Sequence, residues 1–191
     1  MLKNFLIASL LCLASTVQSS YGYQDNQSLI DLTGVSGTTN LGASDDGVSG
    51  TFNLGFTFDY YGQEFTQARV ATNGCLHFKT SGVFCSDYTP DPISGQHTYT
   101  MYPLWTDLIR DNDSQVLAKS YSDKTVFGWY DMREFNRSGS DNSFEVILWG
   151  NDTFEYRYGG LDIINHDVLI GDIGSGKDQS YQYLFHDKCG T

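Results

Sequence analysis

Thr51 to Phe58 (TFNLGFTF) alternates polar and apolar residues at every position. Phe52, Leu54, Phe56 and Phe58 therefore share one face, and Thr51, Asn53, Gly55 and Thr57 the other. A period of two marks a half-buried β-strand, and the four apolar side chains are expected to point inward together. Looser strand patterns cover Val116 to Tyr121, Thr125 to Met132, Ser143 to Trp149 and Thr153 to Tyr158, with Gly, Asn, Asp or Ser near their ends. Gly150, Asn151 and Asp152 predict a hairpin between the last two. Rough strands also fall at Leu29 to Thr33, Thr38 to Leu41, Phe65 to Thr72, Met101 to Leu108, Val168 to Ile173 and Tyr181 to Phe185. Helical periodicity is absent after the N-terminal segment, so the expected class is all-β, an antiparallel β-sandwich with little or no helix after the signal peptide.

The first residues read as an address. Lys3 precedes an apolar run from Phe5 to Ala14, interrupted only by Ser9, and small polar residues follow. This is the layout of a secretory signal peptide, with cleavage expected before Ser20. Residues 20–191 are then expected to form a single domain in a secreted, extracellular protein. No later stretch approaches the roughly 20 apolar residues of a transmembrane helix, so no membrane span is expected.

GVSGTTNLG at Gly34 to Gly42 recurs as GVSGTFNLG at Gly47 to Gly55, identical at eight of nine positions. Two copies are too few for a solenoid and read as successive strands joined by an acidic turn at Asp45 and Asp46. Gly-Val-Ser-Gly lacks the spacing of a nucleophile elbow.

Composition narrows the partners. The 191 residues carry 11 Lys+Arg against 23 Asp+Glu, a formal net charge of -12 that repels phosphate backbones, so no nucleic acid is expected as a partner. Twenty glycines and 13 tyrosines against 3 prolines suit many tight turns between aromatic-rich strands.

In an oxidising compartment the cysteines become informative. Cys12 leaves with the signal, and Cys75, Cys85 and Cys189 remain. A hairpin turning at Lys79 to Ser81 would pair Leu76 with Phe84 and His77 with Val83, placing Cys75 opposite Cys85 within disulfide range. Cys85 with Cys189 is the alternative, leaving Cys75 as a small buried hydrophobe. No Cys/His spacing suggests zinc.

Asp46 to Phe78 resembles the opening of the nidogen-type extracellular β domain and is similar to the ectodomain of plexin-domain-containing membrane proteins. The resemblance rests first on the alternating strand ending in Tyr60-Tyr61-Gly62, and on the strand entering Thr72-Asn73-Gly74. It continues in the Pro-x-Trp-x-Asp segment at Pro103, Trp105 and Asp107, the late strand pair at Ser143 to Trp149 and Thr153 to Tyr158, and the following Leu161-Asp162-Ile163 and Ile170-Gly171. It implies a β-sandwich used in adhesion or extracellular assembly, without catalysis. Asn73-Gly74 and Tyr61-Gly62 suit left-handed turns, and Pro103 within an apolar run suits an edge strand or a bulge. Trp105, Trp129 and Trp149 are expected as core anchors.

Candidate chemistry is sparse. Asp107, Asp111 and Asp113 offer carboxylates for calcium, although no calcium-loop glycine is present and Asp111 to Ser114 is equally ordinary turn chemistry. Asp45 and Asp46 share that ambiguity. No other cofactor is expected. His77, His97, His166 and His186 are scattered, without a metalloprotease motif or a testable triad order. Asn26, Asn112, Asn136 and Asn151 each begin an Asn-x-Ser/Thr glycosylation sequon. Three classes of function remain: a non-catalytic module contacting an extracellular protein or glycan; a carbohydrate-binding module using Tyr60, Tyr61, Trp129 and Tyr130 as stacking rings; and a small secreted hydrolase, which needs a cleft with acids of opposed protonation tendencies.

Overall fold

A computed structural model describes residues 28–82, 84–85 and 87–187. The expected signal peptide at residues 1–19, Asn26 and Cys189 lie outside the described residues. One sheet comprises β1 (Thr39–Asn40), β6 (Leu108–Ile109), β7 (Gln115–Ser120), β8 (Lys124–Glu134), β9 (Asn142–Trp149) and β10 (Phe154–Tyr158). The order is β1-β7-β8-β9-β10, with β6 paired to β8. The other comprises β2 (Phe52–Tyr60), β3 (Gln63–Ala71), β4 (Cys75–His77), β5 (Thr100–Trp105), β11 (Val168–Ile173) and β12 (Ser180–His186), in the order β12-β11-β5-β4-β3-β2. Every pairing is antiparallel. The two sheets pack face to face as the expected sandwich, and the described helix is a single 3-10 turn at Lys177–Gln179. Among the described residues no helix is long and apolar enough to cross a membrane.

The period of two survives in β2. Leu54 and Phe58 are buried between the sheets, and Phe52 and Phe56 pack against the same cluster. The register with β3 shifts between Asn53 and Phe58, where Gly55 has φ 85°, yet the alternation of faces continues through the irregularity. Trp129 lies at the centre of the core, stacked on Phe144 with ring centroids 5.0 Å apart. Its Nε1 donates to the Ala71 carbonyl of the opposite sheet at 2.9 Å. The tyrosine hydroxyls of β10 also cross the sandwich, Tyr156 to the Gly171 carbonyl at 2.8 Å and Tyr158 to that of Pro103 at 2.7 Å. Buried polar groups are thus satisfied while their rings contribute apolar area, the combination that makes tyrosine useful between layers.

Pro103 sits in an interior strand, where the register between β5 and β11 slips across Leu169 and Gly171, so of the two expected settings it occupies the irregularity. The two repeat copies diverge. The first supplies only β1, at the edge of one sheet, and the second begins β2, in the other. The acidic turn therefore carries the chain between layers. Only the second copy has Phe52 and continues into Phe56 and Phe58, which is enough apolar surface for a core strand.

Leu29 to Thr33 forms no strand. The backbone N–H groups of Ile30 and Asp31 donate to the Glu145 carboxylate at 2.9 and 2.8 Å, and that of Leu32 to the Tyr130 hydroxyl at 3.0 Å. Side-chain acceptors replace the ladder, and Leu32 packs on the outer face of β7, β8 and β9 with Leu117, Val126 and Ile147.

Cys75 and Cys85 form a disulfide, with Cα atoms 6.4 Å apart, but not across the expected hairpin. Strand β4 is paired on both sides, by β3 and β5, so no ladder position beside Cys75 is open to Cys85. The chain after Phe78 instead folds over the outer face of the sheet, where Cys85 packs with Ala71, Tyr102, Trp105 and Leu169. His77 is buried beneath it. Its Nε2 accepts the Cys85 N–H at 3.2 Å, so Nδ1 carries the hydrogen and donates to Thr100 Oγ1 at 2.9 Å.

Removing the disulfide with Cys75→Ser and Cys85→Ser together should lower stability by about 2 to 3 kcal/mol, read by denaturant unfolding, and should speed proteolysis within residues 79–98. A pair of serines as stable as the native chain would show that burial alone holds this loop. Burial pushes the His77 imidazole down to about 3, with His97 and Arg69 adding to the depression. The unfolded chain therefore binds the extra proton first. Its contribution is fully present above about pH 6.5 and falls by up to about 1.4 kcal/mol per pH unit as pH drops below that value. A His77→Gln chain should lose this segment of the pH–stability curve, and an unchanged acid slope would contradict it.

Candidate functional site

Three irregular segments meet at one end of the sandwich, and a buried side chain joins them. Asn73 Nδ2 donates to Asp46 Oδ1 at 2.8 Å and to the Asp87 carbonyl at 3.2 Å, while its Oδ1 accepts the Leu108 N–H at 2.9 Å. Gly74 follows with φ 80°, and a Cβ there would lie 2.0 Å from the Leu104 carbonyl oxygen. No other residue fits. The acidic turn is held by Gly47 N–H to the Ser44 carbonyl at 2.9 Å and Thr72 Oγ1 to the same carbonyl at 2.9 Å, with Asp46 at φ 54°.

Together with the segment after β10, these loops surround an open pocket of about 420 Å³. Asp45, Asp46, Asp107, Asp167 and His166 line it, with Tyr88, Thr89, Phe135, Asn136 and Asn165. Tyr88 is 58% exposed. Behind the wall, Glu134 is fully buried and accepts the N–H groups of Ile164, Asn165 and His166, together with Arg137. His166 Nδ1 lies 3.0 Å from Glu134 Oε1, and Nε2 lies 3.5 Å from Asp107 Oδ2. The imidazole is held between two carboxylates.

Their electrostatics differ. Burial pushes the Asp107 carboxyl up to about 6, with His166 pulling against the rise and Asp46, Asp45 and Glu134 adding to it. Burial also works against ionised Glu134, but hydrogen bonds from Asn165, His166, Ile164 and Arg137 outweigh it and hold the carboxyl below its ordinary value.

Residues 20–185 match the family described as NIDO related. The chain belongs to the NIDO-related family. No curated protein and no solved structure matches it. The nidogen-like resemblance is thereby shown, whereas the likeness to plexin-domain-containing ectodomains is not.

In this NIDO-related domain the expected calcium ligands separate. Asp107 faces His166 in the pocket. Asp111 lies on the β6–β7 turn, where its Oδ1 accepts the Asp113 N–H at 3.2 Å and the Ser114 hydroxyl at 3.0 Å. Asp111 and Asp113 are thus placed by turn chemistry, and Asp113 is exposed. The proposed stacking rings are also corrected. Tyr60, Trp129 and Tyr130 are buried, with Trp129 at 0% exposure, and half-buried Tyr61 donates to Asp172 at 2.5 Å. Large rings contribute more in a core than on a surface, so these four form no exposed platform. Trp105 is buried on the outer face of its sheet, and Trp149 is half-buried there on the other.

Cys75, His77 and Cys85 bring three ligand atoms within 4.8 Å of one another, but the disulfide consumes both sulfurs as ligands. Asn112, Asn136 and Asn151 are exposed, as glycosylation requires, and Asn136 lies on the pocket wall. Sequence reading missed Glu134, Tyr88 and Asp167, and singled out His166 only as one of four histidines. His166 is thirty-two residues from Glu134, and no local motif joins them.

Asn73→Ala should lower stability by about 1 to 3 kcal/mol, because it leaves the buried Leu108 N–H without its acceptor and unties the two exposed loops that carry Asp46 and Asp87. Hydrogen exchange should quicken at Leu108, whose N–H loses its acceptor. Loss of stability without local change at Leu108 would show that Asn73 does not tie these loops together.

Proposed function

We propose that the chain is a secreted extracellular recognition module, mediating adhesion or assembly through the face that carries the acidic pocket, and that it performs no catalysis. The supporting observation is the convergence of Asp45, Asp46, Asp107 and Asp167 around one open pocket beside exposed Tyr88. In a chain of net charge -12, such a concavity concentrates negative potential, and the complementary partner is a basic protein surface. The NIDO-related fold and the disulfide support an extracellular setting.

Against turnover, both His166 nitrogens face carboxylates, so neither serves a hydroxyl nucleophile. One observation favours a second reading: Asp107 and Glu134 have the opposed protonation tendencies of a hydrolase acid pair. Glu134, however, is sealed from substrate by its N–H donors, which suits a structural role. The carbohydrate-binding reading loses its stacking rings to burial.

Partners drawn from the extracellular fraction of the source organism should bind less tightly as salt rises. An Asp45→Asn, Asp46→Asn chain should bind an identified partner about tenfold more weakly, equivalent to about 1.4 kcal/mol, with little change in melting temperature. Salt-independent binding that tolerates both changes would move recognition to another surface. Hydrolysis of a peptide or glycan panel, abolished by Asp107→Asn, would replace recognition with catalysis.

A further inference from the structure

We propose that two copies of this chain associate through β12, with the inner face of one copy's β12 packed on that of the other and each β12 lying beside its partner's β10. The proposal goes beyond the recognition reading and depends on different residues.

The two sheets do not end level with each other. β10 is the last strand of its sheet, and its Tyr156 and Tyr158 hydroxyls reach Gly171 of β11 and Pro103 of β5. β10 thus lies over β11 and β5, and β12 is the next strand out. Among the described residues no strand pairs with the outer edge of either β10 or β12. The register with β11 fixes the faces of β12. Phe185, opposite Leu169, packs on the outer cluster, and Gln182 Oε1 accepts the Ile93 N–H on that same side. Tyr181 and Leu184 stand opposite Asp172 and Ile170, whose side chains face the interior, so they share the inner face. Tyr183 sits at the register shift. Burial pushes the Tyr158 phenol above its ordinary range and Tyr183 adds to the rise, which puts Tyr183 on the side of β10.

This overhang is where the apolar surface gathers. Tyr183 is 64% exposed and Leu184 40%, with Tyr181 on the same strand, and Leu161 and Ile164 on the connection from β10 into β11. Tyr88 apart, these are the large apolar side chains exposed among the described residues. Single exposed apolar residues are ordinary, whereas a group of them on an open sheet edge marks an interaction surface. Edge strands that must stay alone carry charge, commonly lysine. Ser180 to His186 contains no Asp, Glu, Lys or Arg.

Charge and geometry select a second copy as the occupant. At a net charge of -12, two copies repel over most of their surface and can meet only where that charge is absent. β12 has no acid, and on β10 the Glu155 carboxylate is paired with Arg157 at 2.8 Å. One side of the molecule also carries both halves of the contact: an open strand edge at β10, and a strand, β12, with an open edge and an uncovered face. A two-fold axis along the strands, midway between the layers, seats each β12 over the other and beside the partner's β10. Both copies are then completed at once, the self-complementary relation of an isologous dimer. The sandwich spacing of about 10 Å is kept across the contact.

The test is sedimentation velocity of the chain from about 1 μM to about 1 mM, with hydrogen exchange of the native chain at both ends of that range. The expected result is a reversible dimer whose formation slows exchange in β10 and β12 and leaves the turn of Asp45 and Asp46 unchanged. Because the contact is apolar and the copies carry like charge, added salt should tighten it, the opposite of the trend expected for a basic partner at the pocket. Tyr183→Glu should weaken association at least about tenfold and leave a folded monomer, since the side chain it replaces is exposed. A monomer at every concentration would overturn the proposal, and so would a dimer that tolerates Tyr183→Glu or is protected elsewhere. A monomer whose β12 amides are already protected would also overturn it, assigning the face to another segment of the same chain. Should the variant fail to fold, the concentration dependence of exchange in the native chain decides the outcome. Absence of self-association leaves partner binding at the pocket to be read separately, and loss of that binding leaves the dimer, so the two readings fail by different measurements.

Discussion

The buried amide of Asn73 is the constraint on which the working end of this molecule depends. One side chain reaches the acidic turn, the segment carrying Asp87 and the backbone leading into β6. Because the Asn73 amide and the Leu108 N–H are removed from bulk water, their hydrogen bonds guard against the cost of a stranded polar group, and the exposed loops of Asp46 and Asp87 are drawn in to satisfy the amide. Gly74 makes this possible. With φ 80° and no side chain to meet Leu104, it lets the tight turn after β3 approach the neighbouring backbone. The pocket thus rests on a rigid corner, although its walls are loops.

Two buried glutamates repeat the same device. Glu145, on β9, receives the N–H groups of Ile30 and Asp31 and the Tyr130 hydroxyl. Glu134, at the end of β8, receives those of Ile164, Asn165 and His166. In each case a carboxylate on a regular strand supplies the acceptors that an irregular segment cannot find in a ladder. The first fastens the described N-terminal segment over an outer face. The second fixes the loop presenting His166, so one electrostatic solution serves packing at one place and the candidate site at another.

The core and the pocket make opposite use of similar residues. Tyrosines at 60, 130, 156 and 158 place rings among apolar neighbours and hydroxyls on partners. Around the pocket, carboxylates are crowded together, and the rise of Asp107 toward neutral pH comes chiefly from its burial, with the neighbouring acids adding to it. Such a concentration of like charge works against the compact state. The disulfide beneath the 79–98 segment and the inter-sheet hydrogen bonds hold the corner closed against it.

The sequence by itself determined the sandwich class and most strands, because alternation of apolar residues is local and a period of two leaves a core strand one orientation. The inward set of Phe52, Leu54, Phe56 and Phe58 and the hairpin at Gly150 to Asp152 were legible for that reason. The cysteine pair was legible too, but its imagined ladder was not real, since β4 was already paired on both edges. Tertiary structure decided what local pattern could not carry. It sent the two repeat copies to different sheets, buried the rings of Tyr60, Trp129 and Tyr130, and parted Asp107 from Asp111 and Asp113. It also joined Asp46, Asp107, Glu134 and His166 across long stretches of chain, because a site made of loop residues is assembled by the packing of the strands beneath it, whereas local periodicity records only which face of each strand is buried.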